Sequence, residues 1–131
     1  RNIIDSLSSA GTNNYLAICH AAYSIASDLE IKIIVVLTDS GKTAIQMAQF
    51  RPNAIIVAVT PYQKTCNLLS IIWGIIPIYA KQAQDMQDVY GLVNKILITQ
   101  KLIQTGERFL IASGVLKLKN STNMLQIYQS K

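Results

Sequence analysis

The sequence predicts an α/β fold. It is read as a three-layer αβα sandwich on a five-stranded mixed sheet of order 3-2-1-4-5, with strand 5 antiparallel. Three observations carry this expectation. Residues 31–37 (I-K-I-I-V-V-L) and 54–59 (A-I-I-V-A-V) are nearly continuous apolar, β-branched runs, the pattern of strands buried on both faces inside a parallel sheet. Segments of helical spacing separate the first four strand-like runs, and parallel strands need such crossovers, which are right-handed. The last two runs, residues 109–113 and 124–128, have no helix between them, so the fifth strand returns antiparallel as an edge.

Each element has a local reason. Residues 13–27 place Leu16, Ile18, Cys19, Ala22, Tyr23, Ile25 and Ala26, with Leu29 beyond, at helical spacing, and Thr12 or Asn13 supplies an N-cap. His20 lies on this helix and reads as a surface or half-buried residue rather than a catalytic one. After the strand at 31–37, residues 38–41 form a turn. Residues 42–50 then set Ala44, Ile45, Met47, Ala48 and Phe50 at helical spacing, and Arg51-Pro52-Asn53 stops that helix, because the residue before proline avoids the helical region. The strand at 54–59 is followed by a short helix from Pro61 to about Ile71, proline being favoured in a first turn. Residues 75–79 are a third strand, and Pro77 within it assigns it to an edge. A long helix is expected over residues 85–103, with Met86, Val89, Tyr90, Val93, Ile96, Leu97 and Leu102 on its apolar side. Thr105-Gly106-Glu107 turns the chain into strand four, and a polar, basic loop at 114–123 leads to strand five.

The 131 residues suffice for one domain, taken as residues 1–131. A chain of this size buries roughly two-thirds of its unfolded surface and folds without staples. Half the residues are hydrophobic and 15% are charged, a globular rather than a disordered composition. The net charge is +5, but the cations are scattered, and nucleic-acid affinity needs them clustered; no nucleic-acid partner is expected. Cys19 and Cys66 both sit among apolar residues and are expected as buried, reduced thiols in a cytoplasmic setting. One histidine and no C-x-x-C pair argue against a zinc site. No signal peptide is visible and no apolar run is long enough to span a bilayer, so no membrane partner is expected. The chain opens on Arg1 rather than Met, which fits a piece of a longer protein.

Ser40-Gly41-Lys42-Thr43 matches the end of a Walker A loop, G-x-x-x-x-G-K-[S/T], but the first glycine of that motif falls on Val36. ATP hydrolysis by this loop is therefore not expected. Two narrower readings stand. In one, the backbone N–H groups of a helix start, the hydroxyls of Thr38, Ser40 and Thr43 and the cation of Lys42 form a monophosphate pocket. In the other, Ser-Gly is a tight turn and Ser40 an N-cap. Asp39 opposes the first reading, since two like charges about 4 Å apart repel by roughly 1 kcal/mol even in water, unless it turns outward or caps the helix itself. Topology favours a ligand, because open α/β sheets bind ligands beyond the carboxyl ends of strands where strand order reverses. In the order 3-2-1-4-5 that point lies between strands one and four. The loops meeting there are residues 38–43 and 114–123, the second bringing Lys117 and Lys119 with Asn120, Ser121, Thr122 and Asn123, or forming only a solvated hairpin loop.

The stretch 33–60, I-I-V-V-L-T-D-S-G-K-T-A-I-Q-M-A-Q-F-R-P-N-A-I-I-V-A-V-T, closely resembles the C-terminal domain of pyruvate kinases. That family shows a strand, T-x-S-G-[R/K/H]-[S/T]-A, a helix ending in [Y/F]-R-P, and a strand ending in A-V-T. Trp73-Gly74-Ile75-Ile76-Pro77 is similar to its [R/W]-G-[V/I]-x-P segment. Gly106-Glu107, the next strand, Gly114 and Ser121-Thr122-Asn123 are similar to its G-D, strand, G and T-N elements. The resemblance runs from about Asn13 to Tyr128. It implies a five-stranded mixed sheet with the last strand antiparallel. In several members it also implies an allosteric sugar-phosphate site, which carries over to Thr38, Ser40, Gly41, Lys42 and Thr43. The sequence departs from members that bind a bisphosphate. Residues 83–92 hold neither Trp nor Arg, and Gly114-Val115-Leu116-Lys117-Leu118-Lys119-Asn120 stands where G-W-R-P-G-S-G often does. A sugar or nucleoside monophosphate, or no effector, remains open.

The family does its chemistry on a separate (β/α)8 barrel, with a catalytic lysine, carboxylates holding Mg2+, and K+. This chain has no such barrel and only seven acidic residues, so no catalytic or metal-binding residue is assigned to it. The resemblance implies a regulatory and assembly domain, partnered by its own catalytic barrel. It also implies a homotetramer in which the first helices and the edge strand pack across a two-fold axis. The rival readings are a free-standing phosphate-binding domain of the same fold and a divergent P-loop hydrolase.

Overall fold

The computed structural model describes residues 14–50, 53–80, 89–113 and 124–130. The elements are α1 (Asn14–Leu29), β1 (Ile33–Leu37), α2 (Lys42–Gln49), β2 (Ile55–Thr60), α3 (Gln63–Leu69), β3 (Ile75–Tyr79), α4 (Val89–Thr99), β4 (Arg108–Ser113) and β5 (Met124–Gln129). They form one five-stranded sheet of order β3-β2-β1-β4-β5. Every neighbouring pair is parallel except β4 and β5. The expected topology is the observed one.

Alternation along the central strands divides the core in two. Ile34, Val36, Ile56, Ala58, Leu110 and Ala112 face one side and pack with Cys19, Ala22, Ala44, Met47 and Leu69 from α1, α2 and α3. Ile33, Val35, Val57, Val59, Phe109 and Ile111 face the other side and pack with Val93 and Leu97 of α4. Both faces of β1 are sealed because both carry apolar side chains, which is why residues 33–36 read as an unbroken apolar run. Pro77 sits in edge strand β3, opposite Ala58 of β2, where the missing N–H breaks no ladder on the outer side.

Helix ends are where the local pattern and the structure part. The helix expected to run to Ile103 stops at Thr99, with its expected start at 85 outside the described residues. Lys101 takes a left-handed φ of 59° and the Leu102 N–H donates to the Leu97 carbonyl at 2.9 Å. This closure turns Ile103 into the second core. α1 ends the same way, through Glu30 at φ 56° and an Ile31 N–H bond to Ala26 O at 2.9 Å. Neither stop uses glycine, the residue that usually marks it. Pro61 does not open α3. The N-cap is Tyr62, in an extended conformation, because the Thr60 hydroxyl accepts the Tyr62 N–H at 3.2 Å and makes its own turn first.

The last strand is pinned to α4. Tyr90 donates its hydroxyl to Gln129 O at 2.8 Å, and the Ser130 hydroxyl bonds Asn94 Oδ1 at 2.8 Å. The Tyr90 and Tyr128 rings lie 4.6 Å apart. Among the described residues no helix is long and apolar enough to cross a membrane.

The two thiols differ. Cys19 is buried and Cys66 half-buried, so the expectation of burial holds for Cys19 alone; α3 leaves its outer face open. Burial pushes the Cys19 thiol from 9.0 up to about 12. At pH 8 a thiol-specific reagent is expected to label Cys66 in the folded chain and Cys19 only after denaturation, read by counting adducts in intact mass. Stability should also respond to alkali. Below pH 9 the thiol is protonated in both states; between pH 9 and about 12 only the unfolded state ionises, so stability falls across that window.

Candidate functional site

At the carboxyl end of β1 the chain turns directly into α2, and the four residues between them are tightly held. The Thr38 N–H donates to Val59 O at 3.0 Å, which extends the β1–β2 pairing by one residue. The Thr38 hydroxyl accepts the Gly41 N–H at 2.8 Å, and the Ser40 hydroxyl accepts the Lys42 N–H at 3.4 Å. Gly41 is the N-cap of α2, at φ 87°, and its carbonyl accepts the Ile45 N–H at 3.0 Å. The expectation that Ser40 caps the helix is corrected: the cap falls one residue later. The turn needs a left-handed residue, and only glycine enters that region without strain. Space is also tight there: a Cβ at Gly41 would lie 3.0 Å from Leu69 Cδ2, so the Leu69 side chain would have to yield.

A second support comes from α3. The Thr65 hydroxyl donates to the Asp39 carbonyl at 2.6 Å, and Leu69, one turn later on the same helix, is fully buried beneath Gly41. Residues four apart share a helix face, so α3 braces the loop at two points. Thr65 and Leu69 are absent from the sequence reading. They lie 26 and 28 residues from the positions they touch, and no local motif announces them.

The structure brings Thr38, Ser40, Gly41, Lys42 and Thr43 together in this turn. Ser40 and Lys42 are exposed, and Thr38 and Asp39 half-buried. Thr43 is 2% exposed, with its carbonyl 4.0 Å from the Cys19 thiol. Lys117, Lys119 and the loop at 114–123 lie outside the described residues. β1 has β2 on one side and β4 on the other, and β4 runs parallel to it, so β1 and β4 end at the same edge of the sheet. The loop thus stands at the point where strand order reverses, the position at which open α/β sheets take ligands.

Electrostatics at the loop are mixed. α2 has no acidic residue in its first turn, and Lys42 opens the helix. A cation at a helix start works against the macrodipole by a few tenths of a kcal/mol, roughly. The helix dipole therefore does not favour Lys42 at this position. The Asp39 side chain adds a negative charge next door.

A family model described as pyruvate kinase, alpha/beta domain, matches residues 16–128. The pyruvate kinase of Methylorubrum extorquens is 35% identical over 112 residues, which cover 85% of this chain and 23% of that protein. That of Lactococcus lactis is 34% identical over 102 residues, covering 78% of this chain and 20% of that protein. A crystal structure of a pyruvate kinase from Cryptosporidium parvum shares the fold with a TM-score of 0.78 at 23% identity, over 88% of this chain and 22% of that one. The chain spans about a fifth of the length of the curated relatives it matches.

Proposed function

The chain belongs to the pyruvate kinase alpha/beta domain family, and from that premise we propose that it is the C-terminal regulatory and assembly domain of a pyruvate kinase. The parent reaction is the glycolytic transfer of phosphate from phosphoenolpyruvate to ADP, giving pyruvate and ATP, in the cytoplasm. That chemistry, with its Mg2+ and K+, belongs to a separate barrel domain. This domain's part is to bias how the subunits are arranged. The observation that carries the reading is the T-D-S-G-K-T turn, set at the sheet's reversal point in a chain that matches the family over residues 16–128.

In this reading a phosphorylated effector, a sugar phosphate or a nucleoside monophosphate, sits against Thr38, Ser40, Gly41, Lys42 and Thr43. Lys117 and Lys119 reach it from the loop after β4. Assembly into a homotetramer uses α1 and the β5 edge. Among the described residues β5 pairs on one side only, with β4, and leaves Ile127 46% exposed; an unpaired edge of this kind invites a partner strand. An effector that favours one arrangement of the subunits couples to activity by typically about 1–3 kcal/mol.

Thermal unfolding in the presence of sugar monophosphates, sugar bisphosphates and AMP tests this. A true effector at 100 times its dissociation constant should add roughly 2.7 kcal/mol of stability. Sedimentation of the same samples reads the association state. No shift with any ligand removes the effector role, and a monomer at all concentrations removes the assembly role.

A further inference from the structure

We infer that Thr65 is a positioning residue for the loop at residues 38–43. From α3 its hydroxyl pins the Asp39–Ser40 peptide so that an amide, not a carbonyl, faces the anion side. The inference rests on the anion-binding reading above and adds to it the group that keeps the loop in a binding-competent form.

A trans peptide is planar, with its C=O and N–H pointing in opposite directions. The Asp39 carbonyl points to α3, where the Thr65 hydroxyl donates to it at 2.6 Å. The Ser40 N–H of the same peptide must therefore point away from α3. A flip of this one peptide exchanges the two groups and sets a carbonyl oxygen where the amide stood, which repels an anion instead of holding it.

The other hydrogen bonds of the turn do not reach the Asp39 carbonyl. Thr38 is tied to β2 through Val59 O, and Gly41 to the Thr38 hydroxyl, but these bonds hold the ends of the turn rather than its middle peptide. The bond from Thr65 is the restraint on the Asp39 carbonyl itself. Leu69 seals the turn at Gly41 from the same helix, with its Cδ2 3.0 Å from where a Cβ would be. The brace thus comes from the crossover after β2, an element that itself carries no group of the anion turn.

The test compares Thr65→Val, which keeps the shape and loses the hydroxyl, with Thr65→Ser, which keeps the hydroxyl. The 15N-labelled chain is titrated with inorganic phosphate, following the amides of residues 40–43, and amide hydrogen exchange is recorded without phosphate. The expected result is about 5- to 10-fold weaker phosphate binding for Thr65→Val, the size of one lost hydrogen bond, with Thr65→Ser close to the unaltered chain. Exchange at residues 40–42 should rise in Thr65→Val while β1 and β2 stay as protected as before. A uniform rise across the sheet would mean a merely structural role and overturns the inference. So does phosphate affinity unchanged in Thr65→Val. If the unaltered chain does not bind phosphate, the anion-binding reading is what fails. The exchange data then decide the brace alone: selective loosening of residues 40–42 supports it, and no loosening overturns it.

Discussion

Truncation of Phe109, the largest fully buried side chain among the described residues, to alanine is expected to lower the free energy of unfolding by about 3–5 kcal/mol. Phe109 is fully buried in the layer between the sheet and α4, where Val93 and Leu97 pack. Its ring stacks on Tyr90 at 6.2 Å and 7° and on Tyr128 at 6.0 Å, its partner across the β4–β5 ladder. Removing it leaves a cavity under one helix and loosens the pair that holds β5. A domain is typically stable by about 5–15 kcal/mol, so this loss takes a large share. Urea unfolding gives the value as a fall in midpoint at constant slope. Ile71→Ala, at an 80% exposed position, is the control and should stay within about 0.5 kcal/mol. A loss below about 1 kcal/mol at Phe109 would show that the α4 layer is not packed as described.

Gly41→Ala comes second, at about 1–3 kcal/mol for forcing a side chain into the left-handed region, with the Leu69 contact added to it. The contribution of that contact can be isolated. Gly74 and Gly106 have similar φ values of 89° and 97°, but a Cβ at either meets nothing within 4 Å. Alanine at those two positions carries the backbone strain alone. The excess at Gly41 measures the overlap with Leu69, and Leu69→Ala in the Gly41→Ala background should return part of that excess. A functional consequence follows in the anion-binding reading, because the same alanine strains the turn and presses on Leu69, which packs against it. The phosphate response of residues 40–43 should be lost at temperatures where the variant is still folded. Equal losses at Gly41, Gly74 and Gly106 would sink the close-approach argument.

The sheet was legible in the sequence because burial on both faces leaves a direct trace in composition. Residues 33–36 and 56–59 lie where water reaches neither side, so only apolar side chains fit. Pro77 could be assigned to an edge for an equally local reason, the missing donor. Helix ends were less legible. Lys101 and Glu30 make left-handed stops that sequence pattern assigns to glycine, and their cost is offset by packing Ile103 and Ile31 into the core.

The sequence by itself determined the order of elements, the topology and the turn in which Thr38, Ser40, Gly41, Lys42 and Thr43 meet. All of these follow from side-chain period, turn chemistry and crossovers that act over a few residues. Only the tertiary structure decided that Gly41 rather than Ser40 caps α2, that Thr43 is buried while Lys42 is exposed, and that Thr65 and Leu69 hold the turn from α3. Those facts depend on which surfaces the parallel crossover presses together. A contact across 26 residues leaves no period in the chain to read.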